Sequence, residues 1–393
     1  MTEAVRPRTL FIGACAGMFV FGIVLAILGT VFGLPATRSR LGIDLAQQGN
    51  LFLLLYAGIF FASLIVGPLI DHLGNKANLF VSAAIVAVAM LLFSVAHSLL
   101  SASAAALLLG LGGGGLNTCT NVLVSDLFGD RRGPMLNLLG IFFGIGALCI
   151  PLLAANIEGH FTISQLFLFC AFLSACCALA YAVISFPSAS ANQAFSLREV
   201  FAVARYEGLL LLAFILFIES GNEACIGGWT STYVNSTGKS PKIATMVLAV
   251  YWAFLMLSRL LASHLLQRTR KSHLVTASAL ISLAGCAILL SGRSVLSLAA
   301  GTTIIGLSYG PIFPTTLGIA GDRYAKAAGT VFGFLFSVAL IGGMLFPWAV
   351  GQVSQRETVR AGMIVPCLGA VGLSLLAAIV MIRERPPSHV DVR

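Results

Sequence analysis

Long apolar segments alternate with short polar ones along almost the whole chain. Twelve of the apolar segments are long enough to cross the roughly 30 Å hydrocarbon core of a bilayer as helices. They fall at about 10–34, 48–70, 79–97, 103–127, 135–155, 164–186, 208–235, 243–266, 274–292, 296–320, 328–352 and 361–382. The pattern therefore predicts an all-α membrane protein with twelve transmembrane helices.

The longest polar interval, about 187–207, lies at the middle of the chain. We therefore predict two six-helix bundles, residues 1–187 and 207–393, joined by a cytoplasmic linker at 188–206. The bundles share an internal repeat, because eight residues recur 196 positions later. The pairs are Gly110/Gly306, Leu111/Leu307, Gly114/Gly310, Thr120/Thr316, Asp126/Asp322, Gly133/Gly329, Gly146/Gly342 and Pro151/Pro347. Parallel duplicated halves around a midplane site are typical of one large class of transporters.

The composition supports a chain that lies almost wholly within or beside lipid. It is 58% hydrophobic and 9% charged, whereas soluble domains are about 25% charged. The first apolar run is too long for a signal sequence and is interpreted as the first span. The nine cysteines lie mainly in apolar segments, at spacings that indicate neither a zinc site nor a disulfide framework.

The excess of basic residues predicts the orientation of the chain. The formal net charge is +9. An N-terminus in the cytoplasm puts 15 basic residues on the cytoplasmic side and 7 on the other. By the positive-inside rule, both termini are expected in the cytoplasm, with the chain in the plasma or inner membrane. Topology thus accounts for the charge, and no nucleic-acid partner is expected.

Two carboxylates, Glu219 and Glu223, lie within the seventh predicted span. Insertion scales give a cost of about 3 kcal/mol for a charged group near the bilayer centre. Residues four apart share a helix face. The pair therefore predicts a functional site at which a substrate, H⁺ or Na⁺ meets a carboxylate.

Arg259 is the only basic residue inside a predicted span. It lies nine residues from Arg268, and Glu219 lies twelve from Glu207, which gives the two side chains similar depths. We hypothesise that Glu219 neutralises Arg259 and that Glu223 is the titratable or ligand-binding group. A purely structural ion pair is the alternative for one of the glutamates.

Other polar and aromatic residues complete the candidate substrate site. Asn117 and Asn121 share a face of span four, where they either bind a polar solute or hydrogen-bond between helices. Gly227 and Gly228 predict a break in span seven before Trp229, which either stacks on a sugar ring or belongs to an interfacial aromatic belt. Tyr233 is assigned to that belt.

Span ten is predicted to be kinked or unwound. Tyr309 and Phe313 flank its Gly-Pro and Phe-Pro steps. Proline and glycine inside a span mark mobile or cavity-lining places. Both aromatic residues are therefore candidates for the substrate site.

A short motif between spans two and three identifies the chain as resembling the major facilitator superfamily. Gly67, Asp71, Gly74 and Lys76 match its Gly-x-Leu-x-Asp-x-x-Gly-x-Arg/Lys signature. The resemblance implies the twelve-helix fold of two pseudo-symmetric bundles and a gating role for this loop, which latches the halves together. In the second half, Gln267 stands where Asp71 stands in the first, so that latch is degenerate.

Spans four, seven and ten together resemble the fucose–proton symporter branch and the related sodium-dependent glucose transporter-like proteins. In the fucose symporter branch, the span-four motif begins with a proton-coupling glutamate and ends in asparagine. Here the first position is Asn117, and only Asn121 matches. The branch also has an acidic residue in span one, and this chain has none there. Its proton site therefore does not carry over.

The sequence holds no catalytic constellation, metal-ligand cluster or nucleotide-binding loop, so neither an enzyme nor an ATP-driven pump is expected, and no cofactor. We expect a secondary active transporter, a monomer, that moves a small polar solute by alternating access. A monosaccharide is the expected substrate, and H⁺ or Na⁺ the coupling ion. The alternatives are an exporter of drugs or hydrophobic metabolites and a non-transporting receptor or scaffold.

Overall fold

The computed structural model describes residues 7–157, 162–186 and 205–383, and all regular structure within them is helical. The described part of the N-terminal half holds six α-helices: α1 Pro7–Val31, α2 Pro35–Leu41, α3 Leu45–Val95, α4 Leu99–Phe128, α5 Arg132–Ile157 and α6 Ile163–Val183. The described part of the C-terminal half holds eight: α7 Leu209–Ser236, α8 Pro241–Leu265, α9 Lys271–Ser291, α10 Val295–Tyr309, α11 Ile312–Arg323, α12 Ala328–Arg356, α13 Val359–Gly362 and α14 Ile364–Arg383.

The described helices make twelve crossings, which confirms the predicted fold class. Eleven helical segments are long and apolar enough to span a membrane, and α10 and α11 together form one of them. The 51-residue α3 supplies two crossings, because the chain turns at Gly74, whose φ of 76° is in the left-handed region. Glycine adopts this conformation without the steric cost that a side chain brings.

Most of the predicted linker, 188–206, lies outside the described residues, and only its last two positions are seen. Tyr206 stacks on Tyr324, which follows α11, with ring centroids 5.6 Å apart. The hydroxyl of Tyr324 also donates a hydrogen bond to the backbone carbonyl of Glu207. The start of the C-terminal half is therefore attached to that half's own helices.

The internal repeat is a repeat of helix packing. A Cβ atom at Gly110 of α4 would overlap the carbonyl of Leu55 in α3. The residue 196 positions later, Gly306, packs in the same way against Tyr251, itself 196 positions after Leu55. Gly146 and Gly342 likewise pack against the carbonyls of Phe19 and Phe217. These two repeated pairs of glycines mark crossings at which each bundle brings two backbones together.

The halves meet at one face of the molecule. We call the face at which α1 begins and α14 ends the terminal face, and the other the opposite face. At the opposite face Gly29 of α1 packs against the backbone of Gly227 in α7, and Gly49 of α3 packs against Gly351 of α12. The side chain of Gln48 donates a hydrogen bond of 3.1 Å to Thr232. These contacts seal the opposite face.

At the terminal face the described helices leave the halves apart. Asp71 of α3 makes no hydrogen bond or ion pair with a described residue, and a Cβ atom at Gly67 would meet no atom within 4 Å. In this state Gly67 therefore has open space where a side chain would lie. From these missing contacts we infer that a cleft between the halves opens towards the terminal face.

Candidate functional site

Glu219 is fully buried in the middle of the bundle, and its carboxylate oxygens accept no hydrogen bond from a donor in the described part of the chain. It lies on α7 within hydrogen-bonding range of the Glu223 carboxylate and within electrostatic range of Arg259. Burying an ionised carboxylate without a partner is costly, so a group in this position is stable as the neutral acid or with a bound cation. This makes Glu219 the candidate for the ion-binding role.

Glu223 forms the ion pair that the sequence assigned to Glu219. Its carboxylate oxygen lies 3.1 Å from Nη2 of Arg259, and the side chains are 16% and 30% exposed. Because neither is sealed from solvent, the pair borders the open cleft. It stands halfway along α7, fourteen residues after Leu209.

The prediction that Glu219 pairs with Arg259 is wrong, and the reason is geometric. Side chains in a helix lean towards the N-terminus of their own helix. α7 and α8 follow each other across a short loop and run antiparallel, so Arg259 leans towards the opposite face while the glutamates lean towards the terminal face. The long arginine side chain therefore passes the level of Glu219 and meets Glu223, one turn further along α7.

Two aromatic residues of the N-terminal half reach this charged group. The guanidinium carbon of Arg259 lies 5.6 Å from the ring centroid of Phe143 in α5, a cation–π distance. Tyr56 of α3 lies within electrostatic range of both glutamates, and its ring packs where a side chain at Gly343 of α12 would lie. The charged group therefore belongs to the C-terminal half but lies at the line where the halves meet.

Further buried polar groups lie on α7 and on the neighbouring helices. The side-chain amide of Asn222 and the hydroxyl of Tyr251 are fully buried and have no hydrogen-bond partner among the described residues, and the buried hydroxyl of Tyr309 lies within hydrogen-bonding range of the Cys286 thiol. Tyr251 lies within electrostatic range of both glutamates and of Arg259, and Tyr309 within range of Glu219. Asn222 and Tyr251 supply donors and acceptors that this state leaves unused.

Asn117 and Asn121 lie together on α4, as their spacing predicts. The amide of Asn121 donates to the side-chain oxygen of Asn117 at 3.0 Å and to its backbone carbonyl at 2.8 Å. Both side chains are half-buried. No hydrogen bond joins them to Glu223 in the described structure, and their contact with a substrate stays a prediction.

In this state Trp229 lies neither in a substrate site, where it could stack on a sugar ring, nor in an interfacial aromatic belt, the two positions considered from the sequence. It is fully buried, its indole N–H donates to the carbonyl of Pro347 at 3.1 Å, and its ring lies 6.0 Å from that of Phe52 in the N-terminal half. Tyr233 is also buried and donates to the carbonyl of Leu289, so its assignment to a lipid-facing belt is wrong. Trp229 is instead part of the seal at the opposite face.

The predicted break at Gly227 and Gly228 is also wrong, because α7 continues through both residues. Their lack of a side chain serves packing: Gly227 meets the ring of Trp252 and Gly228 that of Phe52. The predicted interruption of span ten is confirmed, since α10 ends at Tyr309 and α11 begins at Ile312. Phe313, in the first turn of α11, is half-buried and packs 5.4 Å from Phe336.

Sequence reasoning missed Tyr56, Phe143, Asn222 and Tyr251. Asn222 had a detectable signal, since an amide inside an apolar span must find a partner. The aromatic residues had none, because phenylalanine and tyrosine are common in spans for packing alone. Within residues 7–157, 162–186 and 205–383 no cluster of three or more metal-ligating side chains occurs.

The family model described as Major Facilitator Superfamily matches the chain over residues 10–347 and 212–392. Among curated proteins, human synaptic vesicle glycoprotein 2B is 29% identical over 149 residues, which are 36% of this chain and 22% of that protein. The rat protein named sodium-dependent glucose transporter 1 is 27% identical over 139 residues, 35% of this chain and 28% of that protein. The matched segments thus span less than a third of these relatives.

Solved structures share the fold over almost the whole chain. The nucleoside transporter NupG superposes with a TM-score of 0.79 at 16% identity, covering 96% of this chain and all of that one. A D-xylose–proton symporter gives 0.76 at 11% identity, covering 94% and 97%. A bacterial homologue of the human lysosomal transporter Spinster, in an inward-facing conformation, gives 0.78 at 12% identity, covering 97% and 99%. At these identities the likeness concerns the fold.

Proposed function

Because the chain belongs to the major facilitator superfamily, we propose that it is a proton-coupled secondary transporter of a small polar solute, a monosaccharide or a related sugar-containing compound. It is a multi-pass membrane protein and a transporter rather than an enzyme. The proposal concerns the solute, the coupling ion and the cycle between two states of the cleft.

The observation that carries the proposal is the arrangement of Glu219 beside the Glu223–Arg259 pair. Glu219 is fully buried and its oxygens accept no hydrogen bond from a described donor, whereas Glu223 accepts hydrogen bonds from Arg259. Two carboxylates lie one turn apart beside a single guanidinium, which pairs with Glu223 and neutralises only that one. The other is neutral when a proton occupies it.

Loss of that proton changes the balance of charge in the site. An ionised Glu219 competes with Glu223 for Arg259, because opposite charges attract strongly in a poorly solvated interior. Arg259 lies over Phe143 of the other half, so a shift of its guanidinium alters a contact between the halves. An ion that binds one state of the cleft better than the other biases the equilibrium between them, which is the requirement for coupling.

A polar solute suits the side chains that border the cleft. Asn117 and Asn121 offer amide groups from the N-terminal half, and Glu223 and Arg259 offer charged groups from the other half. Amides and carboxylates pair with sugar hydroxyls, as polar sites in transporters and enzymes do. Two proteins of similar fold are named for a nucleoside and for D-xylose, which supports a sugar-containing substrate.

The distribution of basic residues supports a cytoplasmic position for both termini, in a plasma or inner membrane. The terminal face is then the cytoplasmic face, and the open cleft faces inward. Alternating access would close this face and open the opposite one. We expect the transporter to act as a monomer, because each chain contains both halves of the site.

Uptake into proteoliposomes tests the proposal. The purified chain is given a panel of labelled pentoses, hexoses and nucleosides under an imposed pH gradient at clamped membrane potential, with a parallel Na⁺ gradient. We expect at least one of these solutes to accumulate above its equilibrium level when the pH gradient is present.

Other results would replace the proposal. Accumulation driven by Na⁺ alone would assign the coupling site to a sodium ion. Movement of lipophilic cations without movement of sugars would indicate an exporter, and absence of any flux would favour a non-transporting receptor.

A further inference from the structure

A groove of about 570 Å³ opens at the terminal face, between the start of α7 and the ends of α11 and α14. It lies outside the cleft between the halves and contains none of the residues that the proposed transport site uses. Its wall carries two arginines, Arg323 and Arg383, and two tyrosines, Tyr206 and Tyr324. A cavity of this size accommodates a headgroup or a small molecule.

The wall carries a surplus of positive charge. Arg323 and Arg383 are exposed and make no hydrogen bond or ion pair with any described residue. The opposing charge on the described lining is the carboxylate of Glu207, which is also exposed and unpaired, so the groove keeps a net positive charge. Two guanidinium groups present up to ten N–H donors and no acceptor. The groove therefore suits a ligand rich in anionic oxygens.

Arg323 lies against the first turn of α7. A Cβ atom at Gly208, the N-cap residue of that helix, would stand 2.8 Å from its Nη1. The first turn of a helix presents unpaired N–H groups and a partial positive charge. A guanidinium next to it is unfavourable unless an anion lies between them, and an anion would be bound by both.

The floor of the groove is apolar. Leu211 and Val380 line it beneath the polar wall, at the ends of helices that enter the membrane. A ligand that fills both parts is an amphiphile with an anionic head. Arginine binds phosphate oxygens in a two-pronged fashion, and basic clusters at a membrane surface attract anionic lipids.

We propose that this groove binds the phosphate of an anionic phospholipid. A soluble phosphate offers the same oxygens, but it leaves the apolar floor uncovered. The inference is independent of the transported solute, because binding is measured without transport.

Native mass spectrometry of the full chain tests the site. The protein is equilibrated with phosphatidylglycerol and with phosphatidylcholine of the same acyl chains, and the retained lipid is counted. We expect phosphatidylglycerol to be retained in preference, and the double substitution Arg323→Gln with Arg383→Gln to weaken its retention on the order of tenfold, as the loss of charged hydrogen bonds predicts.

A matched control separates the groove from general surface charge. Arg268 is exposed between α8 and α9 at the same face and lies outside the groove, so Arg268→Gln removes one positive charge from the same side of the membrane. It should retain phosphatidylglycerol as the unaltered chain does. Substitution of both groove arginines by lysine keeps the charge and tests the two-pronged contact should the glutamine variant fail to fold; we expect it to retain less lipid than the unaltered chain.

Competition with inorganic phosphate distinguishes the two sources. Displacement of the lipid by millimolar phosphate would assign the groove to a soluble phosphate and contradict the proposal that it binds a phospholipid. Retention of phosphatidylglycerol that is equal in the unaltered chain and in both arginine double variants would overturn the site altogether.

Discussion

In the C-terminal half Glu219 and Glu223 project from α7, whereas the equivalent helix of the N-terminal half, α1, carries Phe21 and Leu25. This equivalence follows from the matching glycine contacts that pair the two helices in each bundle. Phe21 is buried and packs 5.6 Å from Phe143. Where one half holds ionisable groups, the other holds an apolar contact.

On another pair of equivalent helices, α4 and α11, the N-terminal half carries the polar residues and the C-terminal half the apolar ones. Asn117 and Asn121 lie on α4, and the residues 196 positions later are Phe313 and Leu317 of α11. At these compared positions each half is thus polar where its counterpart is apolar. The helix framework is repeated in the two halves. The charged side chains of the candidate site lie in the C-terminal half, and the neutral amides Asn117 and Asn121 lie in the N-terminal half. We infer that the C-terminal half couples the ion and that the N-terminal half contributes to solute binding.

Removal of the positive charge of Arg259 is expected to have the largest effect among the substitutions that test this division of roles. Arg259→Gln leaves Glu223 without its partner, and loss of one member of a buried pair costs about 3–5 kcal/mol. We expect about 3 kcal/mol, because Arg259 is 30% exposed. The free energy of unfolding, or the midpoint of thermal unfolding in detergent, measures the loss.

Two comparisons control that measurement. Glu223→Gln added to Arg259→Gln should restore most of the stability, since no unpaired charge then remains. Lys271→Gln breaks the pair with Asp322, which is mostly exposed at the terminal face, and should cost less than about 1 kcal/mol. A similar loss in both single variants would show that the Glu223–Arg259 pair is no more important than a surface pair.

Closure at the opposite face is expected to respond to a single methyl group. Gly29→Ala places a Cβ atom against the backbone of Gly227 across the halves, and such overpacking costs about 1–3 kcal/mol. We expect the population with an open opposite face to rise on the order of tenfold. Spin labels at Ser39 and Lys239 measure it through their distance distribution.

Gly67→Ala is the matched control, because its Cβ atom meets no atom within 4 Å in this state. It should leave that distance distribution unchanged or shift it away from the open form, if the motif packs when the terminal face closes. An equal response of the two variants would contradict the assignment of the seal to Gly29.

The repeat and the twelve crossings could be predicted because they rest on strong local signals. Glycines at backbone crossings tolerate no side chain, so Gly110 and Gly306 keep the register of the two halves visible in the sequence. The break at Gly310 and Pro311 was predictable for a similar reason, since proline removes a backbone donor and its ring crowds the preceding turn.

The details of the site depended on three-dimensional packing. Counting residues from the loops gave the depths of Glu219 and Arg259 but not the direction in which the arginine side chain leans. Gly227 and Gly228 looked like helix breakers, yet inside a span their cost of about 1 kcal/mol each is offset by close contact with a neighbour. Phe143 reaches Arg259 from the other half, and no pattern in one segment shows that.

A smaller effect should follow from the amides of the N-terminal half. Asn121→Ala removes one hydrogen-bonding group beside Asn117, which is worth about 1 kcal/mol and therefore about fivefold in affinity. The apparent affinity for the transported solute should fall by that factor, while the dependence of uptake on the pH gradient is unchanged. Asn156→Ala, at an exposed amide bonded to Leu152 in α5, should alter neither quantity. A loss of pH dependence in Asn121→Ala would contradict the division of roles between the halves.

The most direct test of the central claim is the substitution Glu219→Gln, which keeps the shape of the side chain and removes its ionisation. In proteoliposomes with a solute found to be transported, we expect this variant to exchange labelled for unlabelled solute but to lose accumulation driven by a pH gradient. Glu223→Gln should instead impair both activities, because it removes the partner of Arg259. Accumulation by Glu219→Gln that still follows the pH gradient would contradict the claim that Glu219 carries the coupled proton.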